Sequence, residues 1–164
     1  MIDYTVLSVA PSDPLHARLM ETLSAEPIAT QWWEDAESRA EPGASYMVVY
    51  VTVDGAPVPA AWAGWIIEAE GGRRILRCCN NYVRRGFRNR DPELYALAYR
   101  ARHRQVVSRK GLPAVTYLFP EPIGLHLASG WRVDTGPGSA GTSRSAPDGP
   151  VHHWQRLRWT PSPL

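Results

Sequence analysis

A chain of 164 residues with 44% hydrophobic content has the size of one domain and can bury a core without disulfides or metals. No apolar run approaches the ~20 residues that cross a bilayer, and the start, MIDYTVLSVAPSD, lacks a positive stretch followed by an apolar one, so neither membrane insertion nor secretion is expected. The net charge of +2 hides a segregation: residues 1–72 hold two Arg against eleven Asp or Glu, while residues 73–110 hold twelve Arg or Lys against two acids.

In chain order, residues 4–9 read as a strand, and Ser12 or Asp13 can cap a helix through Leu15, Leu19 and Leu23, with Pro14 near its first turn. A second helical stretch is expected over 30–39. Three strand-like runs follow, 46–53, 59–68 and 73–82, separated by Asp54-Gly55 and Gly71-Gly72, both natural hairpin turns, which makes an antiparallel meander. The chain then passes through RRGFRNR into a helix expected to start at Asp91, with Pro92 in its first turn, a buried stripe of Leu94, Leu97, Ala98, Ala101 and Val106, and a stop at Lys110-Gly111. Residues 114–119 read as a strand, which implies a crossover and a parallel pair in the middle of the sheet. A short helix over 122–128, a brief strand over 131–134, a Gly/Ser/Pro-rich loop over 135–149 and a final strand over 151–159 complete one domain spanning 1–164, with 160–164 as a frayed tail.

A basic segment focuses a positive field, which suits a polyphosphate cofactor, nucleic acid or an acidic protein. Tyr82, Phe87, Tyr95 and Tyr99 are interleaved with the arginines as a nucleic-acid surface would have them, but the acidic first half argues against that partner. Cys78 and Cys79 are adjacent, so they do not bridge one another, and a reducing, cytoplasmic location is expected. A thiol nucleophile paired with His126 is one reading of them; small buried hydrophobes is the plainer one. A zinc site from Cys78, Cys79, His152 and His153 fails on spacing, so no metal is expected.

The element order resembles the GCN5-related N-acetyltransferases (GNAT) over nearly the whole chain. VTYLFPEPIGLHLASGWRV, residues 115–133, is similar to that family's strand, short helix and following turn, here Ser129-Gly130-Trp131, and HHWQRLRW is similar to its last strand. Thr116, Tyr117, Glu121 and Gly130-Trp131 also resemble a stretch of an atypical GNAT branch. CCNNYVRRGFRNRDPELYALAYRAR, residues 78–102, sits where the family has a strand, a pyrophosphate loop of pattern Q/R-x-x-G-x-G/A and a helix. With Arg85 in the first place, Arg88 and Arg90 replace the small residues, so charge substitutes for a glycine cradle.

The resemblance implies a mixed, mostly antiparallel sheet of six to seven strands flanked by helices, with a central parallel pair. It implies acetyl-CoA or another acyl-CoA as co-substrate, held by Asn80, Arg84, Arg85, Gly86, Phe87, Arg88, Asn89 and Arg90, and direct attack by an amine of a small-molecule acceptor. His126 stands where the family often has a tyrosine that protonates the leaving thiolate, Glu121 and Glu68 are the candidate bases, and Trp32 and Trp33 would border the acceptor. Pairing of final strands in such folds leaves room for a homodimer. Two alternatives stay open: the same fold with acetyl transfer lost or changed, and an Arg-rich binding module.

Overall fold

The computed structural model describes residues 3–26, 44–144 and 147–163. The helix expected over 30–39, with Trp32 and Trp33, lies outside these residues. β1 (Tyr4–Val9) leads into α1 (His16–Ser24), whose entry is fixed by Asp13: its Oδ1 accepts the Leu15 N–H at 2.9 Å. Then come β2 (Ser45–Val53), β3 (Ala56–Glu70) and β4 (Arg73–Val83), all antiparallel neighbours. Both connecting turns use positive φ at both central residues, 51° and 78° at Asp54-Gly55 and 57° and 77° at Gly71-Gly72, as two-residue hairpins require.

After β4 a short 3-10 turn (Arg85–Phe87) precedes α2 (Leu94–Arg102). The helix continues through a π-helical turn, His103–Val107, and a last turn, Ser108–Lys110, and ends at Gly111 with φ 64°. β5 (Ala114–Leu118), α3 (Ile123–Ala128), β6 (Arg132–Val133), β7 (Ala140–Arg144) and β8 (Val151–Trp159) follow. The eight-stranded sheet runs β1-β2-β3-β4-β5-β8-β6, and β7 pairs with the first half of β8. Among the described residues only β4 and β5 are parallel. β7 corrects the expectation of an irregular loop over 135–149: Ala140 to Arg144 pair with Gln155 to Val151, and Gly141 is a glycine because the Trp154 ring lies where a Cβ would stand, 2.5 Å away.

β2 is buried on both faces, which explains the unbroken run YMVVYV. Tyr46, Val48 and Tyr50 join Trp62, Tyr82, Leu19 and Leu23 under α1, while Met47, Val49 and Val51 face the α2 side with Ala61, Ala63, Leu94 and Ala98.

The far edge is held by Asp134, whose Oδ2 accepts from Arg156 Nε and Arg158 Nε, each at 2.6 Å, while its Oδ1 accepts the Gly136 N–H at 3.1 Å. Arg158 also pairs with Glu70 of β3 at 2.9 Å. The Gly136 N–H and the two guanidinium groups hold the Asp134 carboxyl well below the usual carboxylate range. A lowered native pKa contributes stability that is complete above the ordinary carboxylate value near 4 and is lost as pH falls below it. Asp134→Asn is therefore expected to cost about 1–2 kcal/mol at neutral pH. In melting scans its deficit relative to wild type should shrink below about pH 4; a deficit unchanged down to strongly acidic pH would refute this role.

Candidate active site

The ladder between β4 and β5 is short. Leu76 pairs with Ala114 and Arg77 with Val115, and Thr116 Oγ1 donates to the Cys78 carbonyl at 3.1 Å. Beyond that the strands part. Opposite the parting, β4 carries an extra residue against β3: Trp62 is paired with Tyr82 but Gly64 with Cys79. Asn80 takes φ 50° in this bulge, a conformation that asparagine tolerates better than most residues. Gly64 has no room for a side chain, since a Cβ would stand 2.8 Å from the Tyr46 ring and 3.1 Å from the Cys79 carbonyl. The Asn80 amide nitrogen and both polar atoms of the Asn81 carboxamide are buried without a conventional hydrogen bond among the described residues. Buried polar groups of this kind call for a water or ligand.

The Arg-rich turn is largely occupied with the fold. Arg84 lies 3.6 Å from Glu26, which also accepts from the Tyr82 hydroxyl at 2.9 Å. Arg88 donates to the Val83 carbonyl at 2.9 Å with its guanidinium 4.8 Å from the Tyr82 ring, and Arg90 sits 5.8 Å from the buried Phe87 ring. Arg85 is exposed, and its side chain makes no hydrogen bond or ion pair among the described residues. Arg84, Gly86, Phe87 and Arg90 are brought together at a pocket of about 420 Å³ that opens toward the β2–β3 hairpin. Asn89 is exposed. A second pocket, about 350 Å³, lies between Leu118, Ile123, Val133 and Trp154, with none of the predicted site residues on its walls.

The helix begins at Leu94, two residues later than the first helical position expected at Pro92 behind an Asp91 cap. A Q/R-x-x-G-x-G/A pattern begun at Arg88 instead of Arg85 would put Asp91 and Glu93 in the small-residue places, so neither register supplies a glycine there. The Asp91 carboxylate already accepts the Glu93 N–H at 2.9 Å. The amides that greet an anion at a helix N-terminus are thus partly capped by the chain itself.

His126 is fully buried on α3, its ring 4.3 Å from that of Tyr99 and 5.4 Å from that of Trp131. Nδ1 lies 3.0 Å from the Pro122 carbonyl, which only accepts, so Nδ1 carries the proton and Nε2 presents a lone pair. Burial pushes its pKa down to about 3, leaving a neutral ring at physiological pH. Glu68 pairs with Arg77 at 3.4 Å, and that guanidinium lies 5.1 Å from the Tyr117 ring at the start of the parting. Glu121 is exposed on the turn between β5 and α3. Burial raises the pKa of both cysteines, that of Cys79 to about 12, which removes the thiolate that a nucleophile needs.

Arg102 is the residue the sequence reading missed. It is 1% exposed, and its Nη1 donates to the Gly64 carbonyl at 3.0 Å and the Cys79 carbonyl at 3.2 Å, directly across the bulge. Its position four residues after Ala98 on the apolar stripe was the available signal.

No protein-family model matches the sequence, and no curated protein matches it. Solved structures do. A GNAT-family acetyltransferase from Streptococcus pneumoniae superposes with a TM-score of 0.59 at 9% identity, covering 96% of this chain and 99% of its own. The ribosomal-protein-S18-alanine N-acetyltransferase of Escherichia coli gives 0.54 at 15% identity over 99% and 96%. An aminoglycoside 6′-N-acetyltransferase solved with coenzyme A gives 0.58 at 13% identity over 98% of each chain. The chain has the GNAT fold. Its sheet carries eight strands where six to seven were expected, and the GNAT-type central parallel pair is β4–β5.

Proposed function

We propose that the protein transfers an acyl group from an acyl-CoA to an amine of a small molecule in the cleft between β4 and β5. The observation that carries this reading is the parting of the parallel pair after Arg77 and Val115, faced by the bulge at Asn80. The unpaired polar atoms of Asn80 and Asn81 suit the thioester end of the cofactor. The diphosphate end is served by charge rather than by glycine amides, with the free Arg85 the principal contact and Arg88 a second.

Bound acyl-CoA supplies an electrophilic thioester carbonyl. In this reading Asn80 and the neighbouring backbone orient it, and buried aromatic rings around His126 keep water away. A neutral His126 that holds its proton on Nδ1 toward Pro122 is poorly set to protonate a thiolate. We assign it to packing against Tyr99, whose hydroxyl makes no conventional hydrogen bond among the described residues and is the proton donor of this proposal. Glu68, linked through Arg77 to the start of the cleft, is the proposed acceptor of the amine's proton, through water, with Glu121 as the exposed alternative.

Acetyl-CoA at millimolar concentration is expected to raise the melting temperature by roughly 3–10 °C. Arg85→Ala combined with Arg88→Ala should abolish most of that rise. No rise in the wild-type protein with any acyl-CoA would remove the proposal, and a rise unaffected by the double substitution would remove the assignment of these two arginines.

A further inference from the structure

An internal arginine normally has an anion beside it, because an unpaired charge inside a protein costs several kcal/mol. Arg102 makes no ion pair among the described residues. Its Nη1, on the side of the Cδ, is fixed by the Gly64 and Cys79 carbonyls, while Nε and Nη2 are buried with no hydrogen-bond partner. These two nitrogens form the opposite edge of the guanidinium, where parallel N–H donors match the two oxygens of a carboxylate.

Among the described residues the neighbours supply no counter-charge. Burial raises the pKa of the Cys78 and Cys79 thiols and of the Tyr99 hydroxyl, and pushes that of Tyr95 to about 12. His103 and His126 are both held neutral by burial, and Trp131 Nε1 donates to His103 Nδ1 at 3.3 Å. Glu68 is already paired with Arg77. Among the described residues the unsatisfied edge therefore sits among neutral groups, with the Tyr99 ring 5.9 Å from the guanidinium.

The location gives this edge a use. Cys79, whose carbonyl anchors the guanidinium, lies two residues past the end of the β4–β5 ladder at Arg77 and one before the bulge at Asn80. Arg102 thus lies against the bulge on the β3 side of β4, beside the point where β4 and β5 part, next to the half-buried Asn80 and Asn81.

We infer that Arg102 is a specificity-determining residue that binds a carboxylate at the bulge facing the cleft, so that the acyl group transferred carries a second, free carboxylate, as in a short dicarboxylic acyl thioester. This rests on the reading of the β4–β5 cleft as the thioester site. An acetyl group leaves the edge unpaired; a succinyl or malonyl group closes it with two charge-assisted hydrogen bonds.

Calorimetric titration of the wild-type protein with succinyl-CoA, malonyl-CoA and acetyl-CoA tests this. At least one dicarboxylic thioester is expected to bind about ten- to a hundredfold more tightly than acetyl-CoA. Arg102→Met, close in length and uncharged, should erase that preference, read as the ratio of dicarboxylic to acetyl affinity within the variant; Arg102→Lys, which keeps the charge without the two-pronged edge, should lose most of it. If neither variant folds, the wild-type comparison alone decides. Equal affinities for the three thioesters would overturn the inference and leave the transferase reading standing. If no thioester binds, the transferase reading falls, and free succinate decides the rest. Stabilisation of wild type but not of Arg102→Met would uphold a carboxylate site in a protein that is not a CoA enzyme. Stabilisation of neither would overturn the site as well. A preference for an acceptor amine that bears a carboxylate, lost in Arg102→Met and without discrimination among thioesters, would also overturn it, by moving the carboxylate from donor to acceptor.

Discussion

Trp62→Ala is expected to destabilise the protein by about 3–5 kcal/mol, a large part of the stability of an ordinary domain. Trp62 is fully buried in the middle of β3, and its ring stacks on that of Tyr82 with centroids 5.3 Å apart. Nothing nearby can fill the space: the residues around it, Tyr46, Val48 and Leu19, are themselves buried and fixed by the sheet or by α1. Its indole nitrogen makes no conventional hydrogen bond among the described residues, so the loss is one of packing and cavity formation rather than of a polar contact. The damage should also reach the Arg-rich turn, because Tyr82, once unstacked, holds Glu26 and Arg88 less firmly. Urea denaturation measures the first effect. A loss below about 1 kcal/mol would contradict the packing described.

The second large effect concerns the start of α2. Asp91 caps the Glu93 N–H, and both side chains put negative charge where a diphosphate would approach. Asp91→Ser keeps a capping oxygen and removes the charge; with Glu93→Gln it should strengthen acyl-CoA binding about tenfold or more, at a stability cost of about 1 kcal/mol or less. The exposed Glu93–Arg100 pair at 3.7 Å contributes little against this. Titration of the double variant checks it. Affinity unchanged or weakened would mean that the phosphates do not lie at this helix end, and would shift attention to the pocket beside Arg84 and Arg90.

The order of strands and helices was legible because its signals are local. Asp54-Gly55 and Gly71-Gly72 adopt the positive φ values their composition suggests, and Gly111 ends the helical rod as a glycine after Lys110 should. β7 was not legible. AGTSR has no apolar alternation, and it is a strand only because β8 offers it a partner and Trp154 covers Gly141. The start of α2 was legible only approximately: Asp91 caps the Glu93 N–H as its residue type suggests, but the regular helix begins at Leu94. Of the site, the cleft could be inferred from the crossover alone, whereas Arg102 could not. Its place four residues after Ala98 marks it as inward, but the charge of the segment outweighs that signal until the Gly64 and Cys79 carbonyls show what it binds.

The π-helical turn at His103–Val107 bears on how this arrangement came about. Such a turn holds one residue more than an α-helical turn, and it often marks an insertion that the flanking helix absorbed without breaking. Here it begins immediately after Arg102. Upstream of it the rod keeps the pairing of Leu94 and Ala98 with the meander, and downstream Val106 and Val107 are both buried against the β5 side. Excising one residue between 103 and 107 would regularise the rod and swing everything after it by about 100°, which would force Val106 and Val107 out of their seats or drag Arg102 off its carbonyls. The extra residue thus acts as a phase adjuster: it lets one helix serve two stretches of sheet whose spacings do not match, keeping Arg102 inward on the upstream stripe while Val106 and Val107 reach the β5 side.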